Sequence, residues 1–275
     1  MKYSIGVFFA ALLLMTGTLP AFADLLVTPK RVVFDDRDRT QQVVLINSSN
    51  TARSYRLEWR EQQQLPNGGY KTLTQEEAQG RKMASEVMRF SPRQVRLAPG
   101  ERQVIKILAR RRANMELGEY RSHILFAALP IAEEPSSVAD DGIQMRLNVL
   151  VSYSIPVIMN VGYEAPQIFV SDMKVTPTAS PDKKFADIEL TFDKTGDYSA
   201  YGKIKAYYRP ASEQDYKEVA VLNGVNMFAE TNEYLARLAW MRPPEQGAGD
   251  LKILIEGDAE HTGLVFAEEV FSINL

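Results

Sequence analysis

Two histidines and a few adjacent pairs of carboxylates are the side chains in this sequence whose chemistry suits catalysis or metal binding. The histidines are His123 and His261, and the acidic pairs are Asp35-Asp36, Glu133-Glu134 and Asp140-Asp141. Cysteine is absent, so zinc would need histidine and carboxylate ligands at a matched spacing, and the chain has no H-E-x-x-H run. It also has no G-x-S-x-G motif and no glycine-rich phosphate loop. We therefore expect no enzymatic activity and no metal or cofactor site.

The sequence around these groups favours structural roles instead. His123 begins the apolar run HILFAAL and is expected to be a structural histidine on a strand. His261 lies in the polar stretch GDAEHTG and is expected to be solvated. The acidic pairs fall among turn-forming residues, where carboxylates are usually hydrated.

The first residues predict export. Lys2 supplies a positive charge, a short apolar run follows, and Ala21-Phe22-Ala23 has the spacing of a cleavage site. This layout is typical of a secretory signal peptide, so we expect cleavage after Ala23 and a mature protein in the periplasm. The apolar run is shorter than the roughly 20 residues that cross a bilayer, so no membrane insertion is expected.

Length and charge narrow the class further. The 275 residues predict two domains after the leader (residues 1–23), with boundaries at 24–161 and 162–275. The net charge of −3 gives no basic surface of the kind that binds nucleic acid. An exported chain without cysteine must also be stabilised by packed cores and not by disulfides.

Short apolar runs separated by turn residues predict an all-β fold. They occur in both halves of the chain, as in QQVVLINSS and YLARLAW. Leu117, Gly118 and Tyr120 lead into an apolar strand in a way that is similar to the tyrosine corner of immunoglobulin-like sandwiches. Trp59, on the third predicted strand, matches their buried tryptophan. We therefore predict two immunoglobulin-like β-sandwich domains.

The stretch MRLNVLVSYSIPVIMNVG, residues 145–162, is unusual for a strand. Every odd position from Met145 to Val157 is apolar, which predicts a strand with one apolar face. Thirteen residues at about 3.3 Å each span roughly 43 Å, about twice an ordinary strand. Pro156 cannot donate to a ladder and favours a sheet edge. Alternation alone leaves two interpretations open, because the apolar row can fill this chain's own core or be offered to a partner.

Three segments resemble the periplasmic chaperones of the chaperone–usher pathway, which fold and deliver fimbrial subunits. They are TPKRVVFDD (28–36), SPRQVRLAPGERQVIKIL (91–108), and GEYRSHILFAALP (118–130) together with residues 145–162. The run IPVIM is similar to the divergent archaic or alternative branch. The resemblance covers the first domain. It implies two domains set at an angle, with the subunit bound along the first domain and in the interdomain cleft.

The resemblance also implies a mechanism, in which the seventh strand completes a subunit sandwich that lacks its last strand. The implied donor strand contains Leu147, Val149, Val151, Tyr153 and Ile155. One long strand can also serve both interpretations, with the residues from Ile155 onward buried in this chain's own core.

A second implied site grips the subunit's C-terminal carboxylate in the cleft. Arg31 matches the arginine of the first strand, and a guanidinium fork suits a carboxylate. Pro156 stands where the family has a lysine, so the choice of second charge is left between Lys30 and Arg121.

The expected function is therefore a periplasmic chaperone that stabilises pilus, fimbrial or spore-coat-like subunits by donating an edge strand and delivers them to an outer-membrane usher. Client-free chains are expected to self-associate through the same edge. The alternative is an exported structural fimbrial subunit or adhesin of the same sandwich class.

Overall fold

The chain folds into two β-sandwiches, each with its own apolar core. The structure, a computed structural model, describes residues 25–130, 150–178, 185–241 and 248–274. One core gathers buried side chains from Leu25 to Met159, and the other gathers them from Ile168 to Ile255. The prediction of an all-β fold with two immunoglobulin-like sandwiches is confirmed.

The first sandwich has the strand arrangement of an immunoglobulin-like domain. Its first sheet has the order β1-β3-β9-β7, and its second has the order β2-β11-β10-β4-β8. The strands are β1 (Leu25–Thr28), β2 (Val32–Phe34), β3 (Thr40–Asn47), β4 (Arg53–Arg60), β7 (Met88–Ser91), β8 (Gln94–Leu97), β9 (Arg102–Ala109), β10 (Gly118–Ala128) and β11 (Tyr153–Val161). The first strand passes from one sheet to the other between β1 and β2, so that β2 pairs in parallel with β11. This places the last strand, β11, between β2 and β10.

The second sandwich packs a three-stranded sheet, β12-β13-β16, on a four-stranded sheet, β15-β14-β17-β18. The strands are β12 (Gln167–Pro177), β13 (Ala186–Thr195), β14 (Ala200–Pro210), β15 (Lys217–Met227), β16 (Glu233–Trp240), β17 (Ala248–Gly257) and β18 (Val265–Asn274). Alternate side chains of β16 and β13 are buried, so the period-two pattern of the sequence corresponds to one face on the core. Trp240 is fully buried in this core.

A hairpin of the first sandwich extends onto the second. It consists of β5 (Gln62–Gln64) and β6 (Tyr70–Thr72), and it is followed by two short helices, α1 (Gln75–Ala78) and α2 (Ala84–Val87). The two strands are joined by a turn at Asn67-Gly68-Gly69, a sequence typical of tight turns, and Gly68 has a φ of +78°, which glycine adopts without strain. A Cβ at Gly68 would lie 3.3 Å from the Tyr234 hydroxyl of the second sandwich.

The side chain of Gln64 fastens this hairpin to the second sandwich. Its Nε2 donates to the Asn226 carbonyl at 2.9 Å, and its Oε1 accepts from the Phe228 amide at 3.2 Å and the Thr231 hydroxyl at 2.8 Å. Glu119 on β10 adds a second link, because its carboxylate accepts from the amide of Ser199 at 2.8 Å and from its hydroxyl. Both acceptors are buried, where an unpaired polar group would cost free energy.

The tyrosine corner predicted from the sequence is also formed. The Tyr120 hydroxyl donates to the carbonyl of Glu116 at 3.4 Å, four residues upstream. Ser122 is buried, and its hydroxyl accepts from the Ser85 amide at 3.0 Å. Trp59 is half-buried and packs edge-on against Phe90, with 5.1 Å between the ring centroids. The hydrogen bonds of Tyr120 and Ser122 fix the first half of β10, the strand that pairs with β11.

In the described ranges, no helix is long and apolar enough to cross a membrane. The leader, with its expected cleavage after Ala23, lies outside these ranges, and so do Leu147 and Val149 of the expected donor row.

Replacing Gln64 with alanine is expected to lower the free energy of unfolding by about 3 kcal/mol, because two buried donors and one acceptor lose their partner. Urea unfolding followed by circular dichroism measures this difference. Gln63→Ala is the matched control. Gln63 lies next along the same hairpin, where it accepts a hydrogen bond from Arg81 at 3.3 Å, and its loss should change the free energy by no more than about 0.5 kcal/mol. Equal effects of the two variants would contradict a role for Gln64 in docking.

Candidate functional site

The two edges of β11 are covered to different extents. One edge pairs with β10 along its whole length, from Phe126↔Tyr153 to Gly118↔Val161. On the other edge, β2 pairs only with Val157, Ile158 and Met159. In the part of the chain that the structure describes, no strand therefore pairs with the second edge from Tyr153 to Pro156. Within the described ranges, this part of β11 is an open strand edge.

The apolar row of β11 runs from the core out into solvent. Val157 and Ile155 are buried in the first core, being 0% and 5% exposed. Tyr153 is half-buried and packs against the same core, whereas Val151 is 47% exposed. Leu150 is also exposed. The row therefore passes beyond the end of its own sandwich between Tyr153 and Val151.

These positions refine the expectations for the donor row. Ile155 fills this chain's own core, so its side chain is not available to a partner. Of the remaining expected donors, Val151 and Tyr153 are described, and the first is exposed. In the described ranges β11 runs from Tyr153 to Val161, four residues beyond the last position of the expected row, and residues 150–152 are not in a strand. The segment between β11 and β12, which we call the elbow, begins at Gly162, and this glycine has a φ of +68°.

Pro156 lies within the ladder and does not end it. It pairs with His123 of β10, next to the point at which β2 begins to cover the second edge. Proline has no amide hydrogen, so its place in a strand is one where no neighbouring strand needs that donor. Because Val32 pairs with Val157, Arg31 immediately precedes the covered part of this edge. The open edge and Arg31 are therefore adjacent.

Arg31 reaches across the cleft to the second sandwich. Its Nε donates to Glu260 Oε1 at 2.7 Å and its Nη1 donates to Asn226 Oδ1 at 2.7 Å. The guanidinium carbon lies 5.1 Å from the Tyr201 ring centroid and 5.6 Å from that of Phe228, within cation–π range. The Arg31 side chain is only 9% exposed. The expected anchor is therefore present in the cleft, but it is already paired with a carboxylate.

Arg121, one of the two candidates for a second charge, lies in the same cleft. Its side chain is 8% exposed, forms an ion pair with Glu230, and donates from Nη2 to the Gln62 carbonyl at 3.0 Å. Its guanidinium carbon is 4.0 Å from the Phe228 ring centroid. Lys30, the other candidate, is exposed. Arg121 and Arg31 therefore both lie against the ring of Phe228, whereas Lys30 lies at the surface.

One short segment of the second sandwich holds both arginines. Asn226, Phe228 and Glu230 alternate along the chain, and each contacts a guanidinium group of the first sandwich. We call Asn226–Glu230 the arginine cradle. No local pattern identifies these residues in the sequence, because they are ordinary strand and turn residues whose partners lie more than a hundred positions away.

His123 is a structural histidine, as expected, but an unusual one. Burial, reinforced by the charges of Arg121 and Arg31, lowers the pKa of His123 to about 3, so the imidazole is neutral at physiological pH. Its Nδ1 lies 3.3 Å from Arg121 Nη1 and accepts from it, which leaves the hydrogen on Nε2. Among the described residues, neither His123 Nε2 nor Arg121 Nε has a hydrogen-bond partner.

The expectation that His261 is solvated is wrong. His261 is 4% exposed, stacks on Tyr163 with 5.4 Å between ring centroids, and contacts the Tyr163 hydroxyl through Nδ1 at 3.2 Å. Burial lowers the pKa of His261, and the nearby Glu260 opposes this effect. The polar stretch packs beneath the elbow, and the residue before it, Glu260, faces the cleft and Arg31.

Comparison with known proteins finds similarity only among solved structures, since no family model and no curated protein matches this chain. The class 5 fimbriae chaperone CfaA has a TM-score of 0.46 and 11% identity, covering 90% of this chain and 98% of that one. The chaperone–tip subunit complex CsuC–CsuE from archaic Csu pili of Acinetobacter baumannii gives 0.44 and 12%, with coverages of 91% and 98%. The complex of Salmonella enterica SafA pilin with the SafB chaperone gives 0.42 and 12%, with coverages of 94% and 99%. These are structures of fimbrial chaperones.

Proposed function

We propose that this protein is a periplasmic chaperone that captures pilus or fimbrial subunits by lending them the open edge of β11. One observation supports the proposal above all. The row of apolar side chains on β11 extends beyond the core of the first sandwich, at a place where no neighbouring strand covers the edge. Tyr153 still touches the first core, Val151 is exposed, and β2 leaves the edge from Tyr153 to Pro156 unpaired within the described ranges. An edge of this kind is normally blunted by charge, and here it carries apolar and small polar side chains.

The proposed capture is strand addition, in which main-chain hydrogen bonds hold the subunit and alternate side chains fill its open core. Val151 and Tyr153 are the described donors, and Leu147 and Val149 continue the same row outside the described residues. Fully burying a side chain the size of valine or leucine contributes roughly 1.5–3 kcal/mol. A few such side chains would stabilise an incomplete sandwich substantially, although ordering the donor segment reduces the net gain.

The cleft gives the captured strand a defined end point. A strand added beside Tyr153–Pro156 leads toward Arg31, because β2 begins to cover the same edge one residue later. A terminal carboxylate is the group that suits a guanidinium there. Arg121 Nε and His123 Nε2, which have no partner among the described residues, are further donors close by. We therefore assign Arg31 as the carboxylate anchor and Arg121, rather than Lys30, as the second charge.

The paired last strands of both sandwiches favour this function over that of a structural subunit. In the mechanism implied by the resemblance, a fimbrial subunit lacks the last strand of its sandwich and therefore has an open core. Here β11 completes the first sandwich and β18 completes the second, by pairing with β17 from Ala248↔Asn274 onward. The proposal also includes two further steps. The captured subunit is delivered to an outer-membrane usher, and two chains without a client pair through the same strand edge.

Replacing Val151 with glutamate is expected to abolish capture without unfolding the chaperone, because the side chain is 47% exposed in the free protein and buried only in the complex. Co-expression with a subunit encoded by a neighbouring gene, followed by affinity purification, measures the captured amount. The melting temperature should move by no more than about 2 °C. Val270→Glu, at an exposed valine of β18 in the second sandwich, is the matched control and should retain capture. Retained capture by the Val151 variant would refute the donor role.

Replacing Arg31 with lysine is expected to weaken capture about tenfold, the effect of losing one charge-assisted hydrogen bond, because lysine keeps the charge but not the planar fork. Affinity of the purified chaperone for a refolding subunit, followed by fluorescence, gives the ratio. Arg209→Lys is the control, since Arg209 also pairs with a carboxylate, Asp250, and lies over the ring of Tyr216 in the second sandwich. Equal affinities of the two variants would remove Arg31 from the site.

A further inference from the structure

The two cleft arginines are neutralised by carboxylates of the second sandwich, but the two ion pairs are built differently. Arg121 and Glu230 belong to a network, because Glu230 Oε1 also accepts from the Gln64 amide at 3.0 Å. Gln64 is buried and in turn holds the backbone of the arginine cradle. Moving Glu230 would therefore break contacts that dock the two sandwiches.

The pair formed by Arg31 and Glu260 has fewer supports. Glu260 reaches Arg31 Nε through one oxygen, Oε1, at 2.7 Å, and its side chain is 23% exposed. Two uncharged titratable groups lie near Glu260: His261, whose Nε2 lies 3.6 Å from Oε1, and Tyr163, whose pKa is raised to about 12 by burial and by the Glu260 charge. Because burial lowers the pKa of His261, this imidazole is neutral at physiological pH and offers no competing charge. Glu260 is therefore held mainly by Arg31.

Glu260 can leave Arg31 by turning its side chain alone. It lies in the single 3₁₀ turn Ala259–His261, which is fixed by the Asp258 carboxylate accepting from the Ala259 amide at 2.8 Å and by the burial of His261. A Cβ at Gly257 would lie 2.2 Å from the His261 carbonyl oxygen, so the turn packs closely on the end of β17. The backbone can stay in place while the partly exposed carboxylate rotates into solvent.

A buried guanidinium needs a counter-charge whether or not a client is present. Removing one partner of a buried pair leaves an uncompensated charge, which is strongly destabilising. A client-free chaperone must therefore supply its own carboxylate to Arg31, and that carboxylate must be removable if a client is to bind. Glu260 meets both conditions. Its single-oxygen contact is also weaker than the two parallel bonds that a free terminal carboxylate can form with a guanidinium edge.

We propose that Glu260 is an internal competitor for the carboxylate anchor, so that capture of a client exchanges its C-terminal carboxylate for Glu260 on Arg31. This inference rests on the proposed function for the identity of the client, but the exchange itself is a property of this cleft. Glu260 thus sets the threshold for capture: a client must present a carboxylate that binds Arg31 better than Glu260 does. An amide or a blocked terminus cannot displace it.

Acetate is the probe that tests the exchange without a client. The Nε–Hε resonance of Arg31, assigned by its loss in the Arg31→Lys variant, is followed by NMR during titration of the full chain at constant ionic strength. We expect Glu260→Gln to bind acetate at Arg31 at least about fivefold more tightly than the unsubstituted protein, a factor equivalent to about 1 kcal/mol. Acetamide should produce no response in either protein. Thermal melting confirms that the variant is folded.

Glu268→Gln is the matched control, because Glu268 also forms an ion pair in the second sandwich, with Lys252 at 3.3 Å, and its loss changes the net charge equally. It should leave acetate binding at Arg31 unchanged. Equal acetate affinities for the Glu260→Gln and unsubstituted proteins, or no acetate response in the variant, would overturn the exchange. Loss of subunit capture by the unsubstituted chain together with a tighter acetate response in the variant would instead overturn the chaperone proposal and leave the exchange intact.

Discussion

Two guanidinium groups that meet at one buried phenylalanine ring are the interaction on which the rest of this structure depends. Arg31 and Arg121 come from the first sandwich, and Phe228 comes from the second. Charges this deeply buried cost several kcal/mol unless they are paired and hydrogen-bonded. The second sandwich must therefore place the arginine cradle and Glu260 against the first. The contacts that dock the two sandwiches are consequently the same contacts that neutralise the charges in the cleft.

The same constraint connects the cleft to the strand edge. Arg31 lies immediately before β2, and β2 is short, so it covers β11 only from Val157 to Met159. A longer β2 would cover the edge, and it would also draw Arg31 into a ladder and away from the cleft. The crossing of the first strand between the two sheets therefore does two things at once. It leaves part of β11 open, and it aims a guanidinium at the end of the open part.

The sequence predicted the fold well because its signals are local. Alternation on β14 and β16, the turn at Gly68 and the tyrosine corner at Tyr120 each involve residues a few positions apart. The limits of β11 were predicted less well, since Ile158 is buried although it lies on the face opposite Val157, and this interrupts the one-sided pattern. The partners of Arg31 and the burial of His261 arise from contacts between distant segments, which no short window of sequence contains.

Neutralisation of both arginines also determines how the cleft selects a ligand. A cleft with free cations attracts any anion, and such attraction is long-ranged and weakened by salt. Here Glu230 and Glu260 cancel the charge, so replacing Glu260 with another carboxylate leaves the net charge of the cleft unchanged. Selection must then come from short-range terms: two parallel hydrogen bonds in place of one, and apolar burial along the adjoining strand edge. In the proposed capture the two terms act together, so a client is bound most tightly when its terminus and its open core reach the site together.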